Sequence, residues 1–486
     1  MGEPLYRVAE LRALEQAAQA ALAPGTLMQR AGAAAATLVG GRLGEGRGRV
    51  RIVCGPGNNG GDGYVCALEL ARHGVDAQCV ALAAAATDDA RAAFSRWAAA
   101  GGATLTGLPT GDDRFDAVID AMFGIGMARP LGGAYLVAAE WINRQRAPVL
   151  AIDVPSGLDA DRGRWVGNVP GVRAAATVTF IGAKPGLFTG DGCDAAGTVD
   201  IEPIGVAPGP CAGLLLAPSD FPGLLVPRLR NTHKGTYGSV AIVGGNVGMV
   251  GAPLLAARAA LRLGAGRVYV DCIGAPELRL DPLQPELMFR PLAGLDGPTA
   301  CVVGCGLGED AAARAALAAA LACSCPLVID ADALNLLAAD EALGRRCSGR
   351  AADTVLTPHP LEAARLLRTG AANVQDDRVE HALELARRFR ALVVLKGAGT
   401  VIAGADGSYA INPGGSPALA TAGSGDALAG MIGAFLGQCD DARQAVYAAV
   451  WLHGAAAERF GADIGLVATD IAPLAARRLA ELRSLR

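Results

Sequence analysis

Lysine is scarce in this chain, and so are the residues that would mark a nucleic-acid partner. Only three lysines, Lys184, Lys234 and Lys396, occur among 43 basic residues. Aromatic residues make up 4% of the chain and the formal net charge is −4, so few side chains could stack on bases and no basic surface is indicated. This composition predicts small-molecule partners and excludes nucleic acid as an expected ligand.

Sequence signals for zinc, export and membrane insertion are also missing. The twelve cysteines form no CxxC pair and show no Cys/His spacing suited to zinc, which favours reduced thiols in a cytoplasmic protein. The N-terminal sequence MGEPLYRVAELRALEQ contains acids and lacks the apolar segment of a secretory signal. Ala-rich runs such as residues 311–323 contain Arg, so they predict helices of a soluble domain and no membrane partner.

Apolar sequence is abundant by contrast, and it occurs in short runs. At 486 residues with 52% hydrophobic content, the chain is long enough to bury the cores of two domains. Short apolar strands alternate with helical segments in both halves, which predicts mostly parallel α/β folds. The segment 203–227 is rich in proline and poor in charge, as is typical of a linker. We therefore expect domains over 1–217 and 218–486.

A Gly-rich loop follows the first buried strand of the chain. Residues 50–54 are predicted to form this strand, and GPGNNGGDG then leads into a helix predicted over Tyr64–His73. The order of strand, Gly-rich loop and helix suits phosphate binding, although the loop matches neither the GxGxxG nor the GxxxxGK[ST] fingerprint. Asn58, Asn59 and Asp62 supply oxygen atoms that fit either a cation or a ribose.

Two later strands of the first half also end at polar residues. Asp120 ends one predicted strand and precedes the loop AMFGIGMARPLGG, whereas Asp153 ends the next and precedes Ser156. The carboxyl ends of parallel strands lie along one edge of an open sheet, which is where such sheets bind ligands. Each residue alone could be a capping residue, but together with Asn59 they favour a ligand site at this edge.

The stretch ALATAGSGDALAGMIGAFLG, residues 418–437, is the most informative part of the second half. Its Gly-Ser-Gly turn, residues 423–425, places Asp426 on the first turn of an apolar helix. Glycines let an anion approach the backbone, and the free N–H groups at the start of the helix would face that anion. An aspartate there could accept a proton from a hydroxyl beside a phosphate, or could merely complement the helix dipole.

Two other residues of the second half occupy comparable positions. Lys396 follows a predicted strand in LKGA, and a compact ammonium group fits a tight phosphate or hydroxyl site. His359 lies between two prolines just beyond another strand, where we favour a ligand contact over a structural role. Both residues are therefore expected near Asp426.

The motifs of both halves resemble those of one known enzyme family. CGPGNNGGDGYVCA, IDAMFGIGMARPLGG and AIDVPSGLDADRG resemble the N-terminal epimerase domain of the bifunctional NAD(P)H-hydrate repair enzymes. Six motifs of the second half resemble the C-terminal dehydratase domain of the same enzymes, namely HKGTYGSVAIVGG, GCGLG, VIDADALN, TPHPLE, VLKGAGT and ALATAGSGDALAGMIGAFL. The resemblance covers nearly the whole chain in the family's order. It implies a Rossmann-like α/β domain followed by a ribokinase-like domain.

The resemblance also implies a reaction and its cofactors. The substrate would be NADHX or NADPHX, which is NADH or NADPH with water added across C5 and C6 of the nicotinamide ring. The first domain would interconvert the R and S hydrates, and the second would dehydrate the S form with ADP in bacterial members, releasing AMP and phosphate, or with ATP in eukaryotic ones. K⁺ would order the epimerase loops, Mg²⁺ would assist the dehydratase, and a homo-oligomer, for example a tetramer, is implied.

An alternative remains open at this point, because a GSGD helix start suits a second kind of chemistry. A ribokinase-like kinase of a small molecule such as a vitamin, fused to a non-catalytic binding domain, would carry the same turn. The two possibilities differ in their products. A kinase releases a stable phosphate ester, whereas the dehydratase restores the reduced nicotinamide and releases inorganic phosphate.

Residue roles carried over from the family complete the expectations. Asp426 and Asp153 are the expected catalytic residues. The epimerase substrate contacts would be Asn58, Asn59, Gly60, Gly61, Asp62, Gly124, Ile125, Gly126, Met127, Ala128, Arg129, Pro130 and Asp153, and the potassium ligands would be Asn59, Asp120 and Ser156. The dehydratase substrate contacts would be Ala252, Gly306, His359 and Asp426, and the nucleotide contacts would be Lys396, Gly397, Ala398, Gly399, Thr400 and Gly425. Cys305 in GCGLG stands where the family pattern has proline, a change expected to affect the stiffness of the loop and not its role.

Overall fold

The computed structural model describes residues 2–43, 48–109 and 114–485. Within these residues the chain forms two compact units, one of residues 3–213 and one of residues 214–485 with residue 2. The division thus falls between Gly213 and Leu214, whereas the sequence places the boundary at residue 217. Among the described residues, no helix combines the length and the apolar character that crossing a bilayer would require.

The first unit alternates strands and helices. Its elements are β1 (Glu3–Leu5), α1 (Val8–Ala21), α2 (Thr26–Leu43), β2 (Arg49–Cys54), α3 (Asn58–Arg72), β3 (Asp76–Ala81), α4 (Asp88–Ala99), β4 (Thr104–Leu105), β5 (Ala117–Ala121), α5 (Ala134–Asn143), β6 (Val149–Ile152), β7 (Ala176–Phe180), α6 (Gly192–Ala195) and β8 (Thr198–Glu202). Seven of the strands form a sheet of order β4-β3-β2-β5-β6-β7-β8, and every pairing in it is parallel. This is the doubly wound α/β arrangement that the sequence predicts.

Strand β2 shows why the sheet lies between two helical layers. Ile52 packs in a cluster with residues of α2 and α3, and its neighbour Val53 packs in a second cluster with residues of α5. Successive side chains of a strand point to opposite faces, so a strand covered on both sides needs an unbroken apolar run. The chain also changes direction across the sheet between β2 and β5, which is where open parallel sheets bind ligands.

Helix α3 begins earlier than the sequence predicts. It starts at Asn58, directly after Gly57, and not at Tyr64. The prediction was wrong because glycines disfavour an isolated helix. Here their small size lets the first turns of the helix pack directly on backbone, and a Cβ on Gly60 would lie 1.9 Å from the carbonyl oxygen of Gly55. As a result, Asn58, Asn59 and Asp62 are carried by a helix and not by a loop.

The second unit repeats the alternation around a longer sheet. Its elements are β9 (Gly213–Leu215), β10 (Ser239–Gly244), α7 (Gly251–Arg262), β11 (Arg267–Cys272), β12 (Met288–Phe289), β13 (Ala300–Val303), α8 (Ala311–Ala322), β14 (Leu327–Ile329), α9 (Asp332–Ala339), α10 (Glu341–Ser348), β15 (Thr354–Leu356), α11 (Pro360–Leu367), α12 (Ala371–Asp376), α13 (Arg378–Phe389), β16 (Leu392–Leu395), β17 (Val401–Ala403), β18 (Tyr409–Ile411), α14 (Ser424–Leu436), α15 (Ala442–Phe460) and α16 (Ala468–Ser484). The strand order is β9-β18-β17-β16-β15-β14-β13-β10-β11-β12.

Pairing in this second sheet changes from parallel to antiparallel at β16. The seven strands from β12 to β16 in this order are parallel to their neighbours. Strand β17 is antiparallel to both β16 and β18. The segment VIAGADGSYAIN therefore forms a hairpin of β17 and β18. Helix α14 packs at the centre of the unit, and all of its residues from Ala427 to Leu436 are buried. An apolar helix without a polar face requires such surroundings.

The predicted linker is only partly a linker. Within 203–227, residues 213–215 form β9, and Phe221, Leu224 and Leu225 are buried in the main core of the second unit. The prediction of a linker up to residue 227 was wrong because proline content signals the absence of regular structure and not the absence of burial. Residues 214–227 belong to the second unit.

Candidate active sites

A cavity of about 730 Å³ lies in the first unit, at the carboxyl ends of its central strands. Many of the predicted epimerase residues line it, namely Asn58, Asn59, Asp62, Gly124, Ile125, Gly126, Met127 and Asp153. The cavity is also lined by residues for which the sequence analysis made no assignment, including Glu15 of α1 and Lys184, which follows β7. The structure therefore brings residues from distant parts of the chain to one site.

Five of the predicted substrate contacts do not line this cavity. Gly60 and Gly61 lie inside α3, where they pack against Gly55 and Met28. Ala128, Arg129 and Pro130 lie farther along the loop that follows β5, and all three are exposed. Their predicted contacts with substrate stay predictions, and the two glycines have a packing role in addition.

Asp153 is the most constrained acid of this site. Its Oδ1 accepts a hydrogen bond from the Lys184 ammonium group at 2.8 Å, and its Oδ2 accepts one from the Ile125 amide at 3.1 Å. The backbone of Asp153 has φ = 68°, a left-handed conformation that is strained for a residue other than glycine. Gly124 permits the approach of the carboxylate, because a Cβ there would lie 2.4 Å from Oδ2.

The three predicted potassium ligands differ in how their polar atoms are satisfied. Asp120 accepts hydrogen bonds from the Ser156 amide and from the Ser156 hydroxyl, each at 2.7 Å. Burial raises the pKa of Asp120 to about 6, although these hydrogen bonds lower it. The side-chain oxygen and nitrogen of Asn59, by contrast, are buried with no hydrogen-bond partner among the described residues.

An unpartnered buried amide is expensive, so the Asn59 oxygen needs a ligand or a water molecule. Amide, carboxylate and hydroxyl oxygens are the donors that hard cations prefer. The residues present therefore fit a cation such as K⁺ by their chemistry. Asp120 and Ser156 hold each other in place through their two hydrogen bonds.

The second unit carries Asp426 on the first turn of α14, as the sequence predicts. The helix begins after Gly423, whose φ of 85° suits glycine, and the Asp426 side chain remains partly exposed. His453 supports this turn from α15, since its Nε2 lies 3.1 Å from the Ser424 carbonyl oxygen. Burial lowers the pKa of His453 to about 4, so it is a neutral structural residue.

A buried ion pair lies beside Asp426. The Lys396 ammonium group donates to Asp330 Oδ1 at 2.7 Å, and the Thr357 hydroxyl donates to the same oxygen at 2.7 Å. Lys396 also approaches the start of α14, because a Cβ on Gly425 would lie 3.2 Å from its Nζ. The predicted nucleotide residues Lys396 and Gly425 are thus neighbours in space.

Cys305 contributes a thiol to the same site. Its Sγ and a carboxylate oxygen from each of Asp330 and Asp426 all lie within 4.8 Å of one another. Burial and the charge of Asp330 raise the pKa of Asp426 to about 6, although a hydrogen bond from Cys305 and the charge of Lys396 act to lower it. Burial, together with Asp426 and Asp330, raises the pKa of Cys305 well above its usual value, so this residue remains a thiol.

The other predicted dehydratase residues fall into two groups. Ala252 and Gly306 are neighbours, since a Cβ on Gly306 would lie 3.1 Å from the Ala252 Cβ. The loop 397–400 follows β16, and within it the Thr400 hydroxyl donates to the Gly397 carbonyl oxygen at 3.1 Å. The other two residues of this loop are Ala398 and Gly399.

His359 has a local structural role that the sequence analysis did not favour. Its Nδ1 accepts hydrogen bonds from the amides of Leu361 and Glu362, which caps α11, and its Nε2 lies 3.1 Å from the Glu362 carboxylate. The amide of Lys396 donates to the Pro358 carbonyl oxygen at 2.9 Å, so the cap adjoins the nucleotide loop. A contact of His359 with substrate stays a prediction.

Sequence reasoning missed Lys184, Asp330, Thr357 and the orientation of Cys305. Two of these had a usable signal. Lys184 is one of only three lysines and lies next to Gly-rich sequence. Asp330 directly follows the apolar run of β14, as Asp153 follows that of β6. The Cys305 thiol had no such signal, because its direction depends on the packing of the loop.

A parallel sheet with a cavity at its switch point, followed by an α/β unit with an acid at a Gly-rich helix start, is the arrangement of an α/β enzyme with one candidate site in each unit. A family model described as YjeF-related protein N-terminus matches residues 24–186, and one described as NAD(P)H-hydrate dehydratase matches residues 240–478. The chain belongs to the family of bifunctional NAD(P)H-hydrate repair enzymes.

Individual relatives support this membership. A bifunctional NAD(P)H-hydrate repair enzyme of Coxiella burnetii is 36% identical over 96% of this chain and 98% of its own. An ADP-dependent (S)-NAD(P)H-hydrate dehydratase of Neisseria meningitidis is 44% identical over 52% of this chain and 89% of its own. The fold alone is shared with a solved ribokinase-like superfamily protein of Enterococcus faecalis. That protein is 24% identical over 57% of this chain and 98% of its own, with a TM-score of 0.50.

Proposed function

We propose that residues 1–217 epimerise the R and S forms of NAD(P)H hydrates and that residues 218–486 dehydrate the S form with ADP. The observation that carries this proposal is a lysine–aspartate ion pair at the carboxyl end of each sheet, which includes the proposed base Asp153 in the first unit and lies beside the proposed base Asp426 in the second. The names of the full-length relatives support the same pair of reactions. NADHX and NADPHX are both accepted as substrates in this proposal.

Dehydration needs a kinase-like site because hydroxide is a poor leaving group. Asp426 accepts the proton of the C6 hydroxyl as that oxygen attacks the terminal phosphate of ADP, which leaves AMP. The phosphate then departs from C6 while the electrons of the ring nitrogen form an N1=C6 double bond, and loss of a proton from C5 moves the double bond to C5=C6, which restores NAD(P)H. The backbone amides of residues 423–425 stabilise the charge on the transferred group.

Epimerisation needs only reversible ionisation at the same carbon. The C6–oxygen bond breaks with the help of an acid, and water adds to the opposite face with the help of a base. We assign the base to Asp153, which lines the cavity and is held by Lys184 and Ile125. The roles of the remaining substrate and nucleotide contacts are part of the proposal as they were predicted.

Two metal ions complete the proposal. Asn59, Asp120 and Ser156 would hold K⁺, which would order the loops of the epimerase site and supply little Lewis acidity. Asp330 would hold Mg²⁺ together with the nucleotide phosphates, because Mg²⁺ usually takes one or two carboxylates and keeps the rest of its shell for phosphate and water. Mg²⁺ there would offset phosphate charge.

A coupled assay with enzymatically hydrated NADH tests the whole proposal. Full-length protein supplied with ADP is expected to restore the absorbance of reduced nicotinamide and release inorganic phosphate, and a parallel reaction with ATP measures the nucleotide preference. A stable phosphate ester would instead identify a small-molecule kinase. A homo-oligomer and a cytoplasmic location stay predictions, and light scattering on the purified protein would measure the former.

A further inference from the structure

Lys184 is the buried cation of the epimerase cavity, and the proposed reaction assigns it no part in proton transfer. Its side chain is 1% exposed, yet the residue lines the cavity together with Asp153. Burying an ammonium group is costly unless it is paired and hydrogen-bonded. A lysine kept in this position, in a chain with only three lysines, therefore calls for a function.

The contacts of Lys184 fix one orientation of Asp153. Its Nζ donates to Asp153 Oδ1 at 2.8 Å and to the Phe180 carbonyl oxygen at 2.7 Å. The Phe180 bond anchors the ammonium group to the end of β7, while the Ile125 amide binds the other oxygen of Asp153 at 3.1 Å. The carboxylate is thus held from two sides, on a backbone with φ = 68°.

The other carboxyl groups of the cavity lack this support. Asp62 of α3, Glu15 of α1 and Asp89 of α4 line the same cavity, and the described residues offer none of them an ion pair. Burial raises the pKa of Asp62 well above its usual value, and the charges of Asp153, Glu15 and Asp89 raise it further. Burial and Asp153 also raise the pKa of Glu15, although Lys184 and Arg12 lower it.

Two carboxyls in one site whose surroundings favour opposite protonation states are the usual arrangement for acid and base roles. Asp153 accepts hydrogen bonds from Lys184 and from the Ile125 amide, which fix the direction of its two oxygens. Asp62, buried beside other acids and without a cation, is the carboxyl that stays neutral.

We propose that Lys184 is a positioning residue for epimerisation, which makes Asp153 the proton acceptor and leaves Asp62 as the proton donor. This inference rests on the proposed function. The ring nitrogen forms a double bond to C6 as the C6–oxygen bond breaks, and Asp62 protonates the departing oxygen, which leaves as water. Water then forms a new bond to C6 on the opposite face and gives one proton to Asp153, and the reverse turnover returns that proton.

The test compares Lys184→Met with Lys234→Met in the full-length protein. Lys234 is exposed and belongs to the second unit, so it is not part of the epimerase cavity. We expect Lys184→Met to lower kcat for R-to-S exchange about 100-fold with KM nearly unchanged, because binding survives while the base is misplaced. We also expect the pH below which exchange slows to move upward. Lys234→Met should match the wild type in both respects.

A double-variant cycle separates positioning from mere folding. If Lys184 acts through Asp153, then adding Lys184→Met to Asp153→Asn should cause no further loss of kcat, whereas a purely structural lysine would cause an added loss. Equal kcat and an unchanged pH profile in Lys184→Met would overturn the inference. Wild-type protein without exchange activity would overturn the proposed function instead, so the two failures are distinguishable.

Discussion

The two units use a lysine–aspartate pair in different ways. In the first, Lys184 pairs with Asp153, the proposed base itself. In the second, Lys396 pairs with Asp330, a neighbour of the proposed base Asp426. The pair therefore includes the base in one site, and in the other it lies beside a base whose pKa is raised by burial to about 6.

The same difference appears in the two lysines. Burial lowers the pKa of Lys184, and Asp153 only partly restores it. Burial also lowers the pKa of Lys396, but Asp330 and Glu362 raise it more, so its net shift is upward. A cation that must meet nucleotide phosphates gains from staying charged, whereas one that orients a single carboxylate needs only that partner.

The largest expected effect concerns the independence of the two sites. Asp426→Ala removes the proposed base of the second unit, and dehydration of the S hydrate should fall at least about 1,000-fold, within the range for general-base catalysis. Epimerisation should remain nearly intact. Rates of both reactions on the same preparation measure this, and equal loss of both activities would contradict two separate sites.

Asp153→Ala should give the reverse pattern with a smaller loss. Exchange of the R and S hydrates should slow about 100-fold, because the reaction also proceeds through water and the remaining acid. Dehydration of purified S hydrate should be unchanged. Nuclear magnetic resonance of the hydrate mixture would follow the exchange, and unimpaired exchange would remove Asp153 from the mechanism.

The two units also show which structural features can be predicted from the sequence. The strand predicted over residues 50–54 is confirmed as β2 (Arg49–Cys54) to within one residue, because buried parallel strands are unbroken apolar runs. The start of α3 at Asn58 did not follow from sequence, since close packing of glycines overrides their low helix propensity. Asp426 was predictable from its turn, but the ion pair of Lys396 with Asp330 joins residues far apart in the chain.

The pH dependence of dehydration sharpens the comparison. A base works when it is deprotonated, and burial with Asp330 raises the pKa of Asp426 to about 6. The rate should therefore be nearly constant above this pH and fall about tenfold per pH unit below it. Rates with saturating nucleotide across this range measure the effect. A rate that keeps rising with pH well above neutrality would assign the proton transfer to another group.

The same shift predicts a small gain in stability for Asp426→Asn. Folding raises the pKa of Asp426 from its usual value of 3.8 to about 6, so its charged form costs stability progressively between these two values and fully above about pH 6. The variant should melt at a higher temperature than the wild type above neutral pH. The difference should shrink as the pH falls toward 4. Thermal unfolding at several pH values would show this, and a pH-independent difference would contradict it.

The smallest expected effect tests the thiol that lies beside Asp426. Cys305→Ala removes a hydrogen bond that lowers the pKa of Asp426, so the pH at which dehydration slows should rise by about half a unit. Cys305→Ser keeps a donor and should leave that pH unchanged or lower it. Cys301→Ala, at a buried cysteine on β13, is the matched control for lost volume. A shift in the control as large as in Cys305→Ala would mean that packing, and not the hydrogen bond, sets the protonation of Asp426.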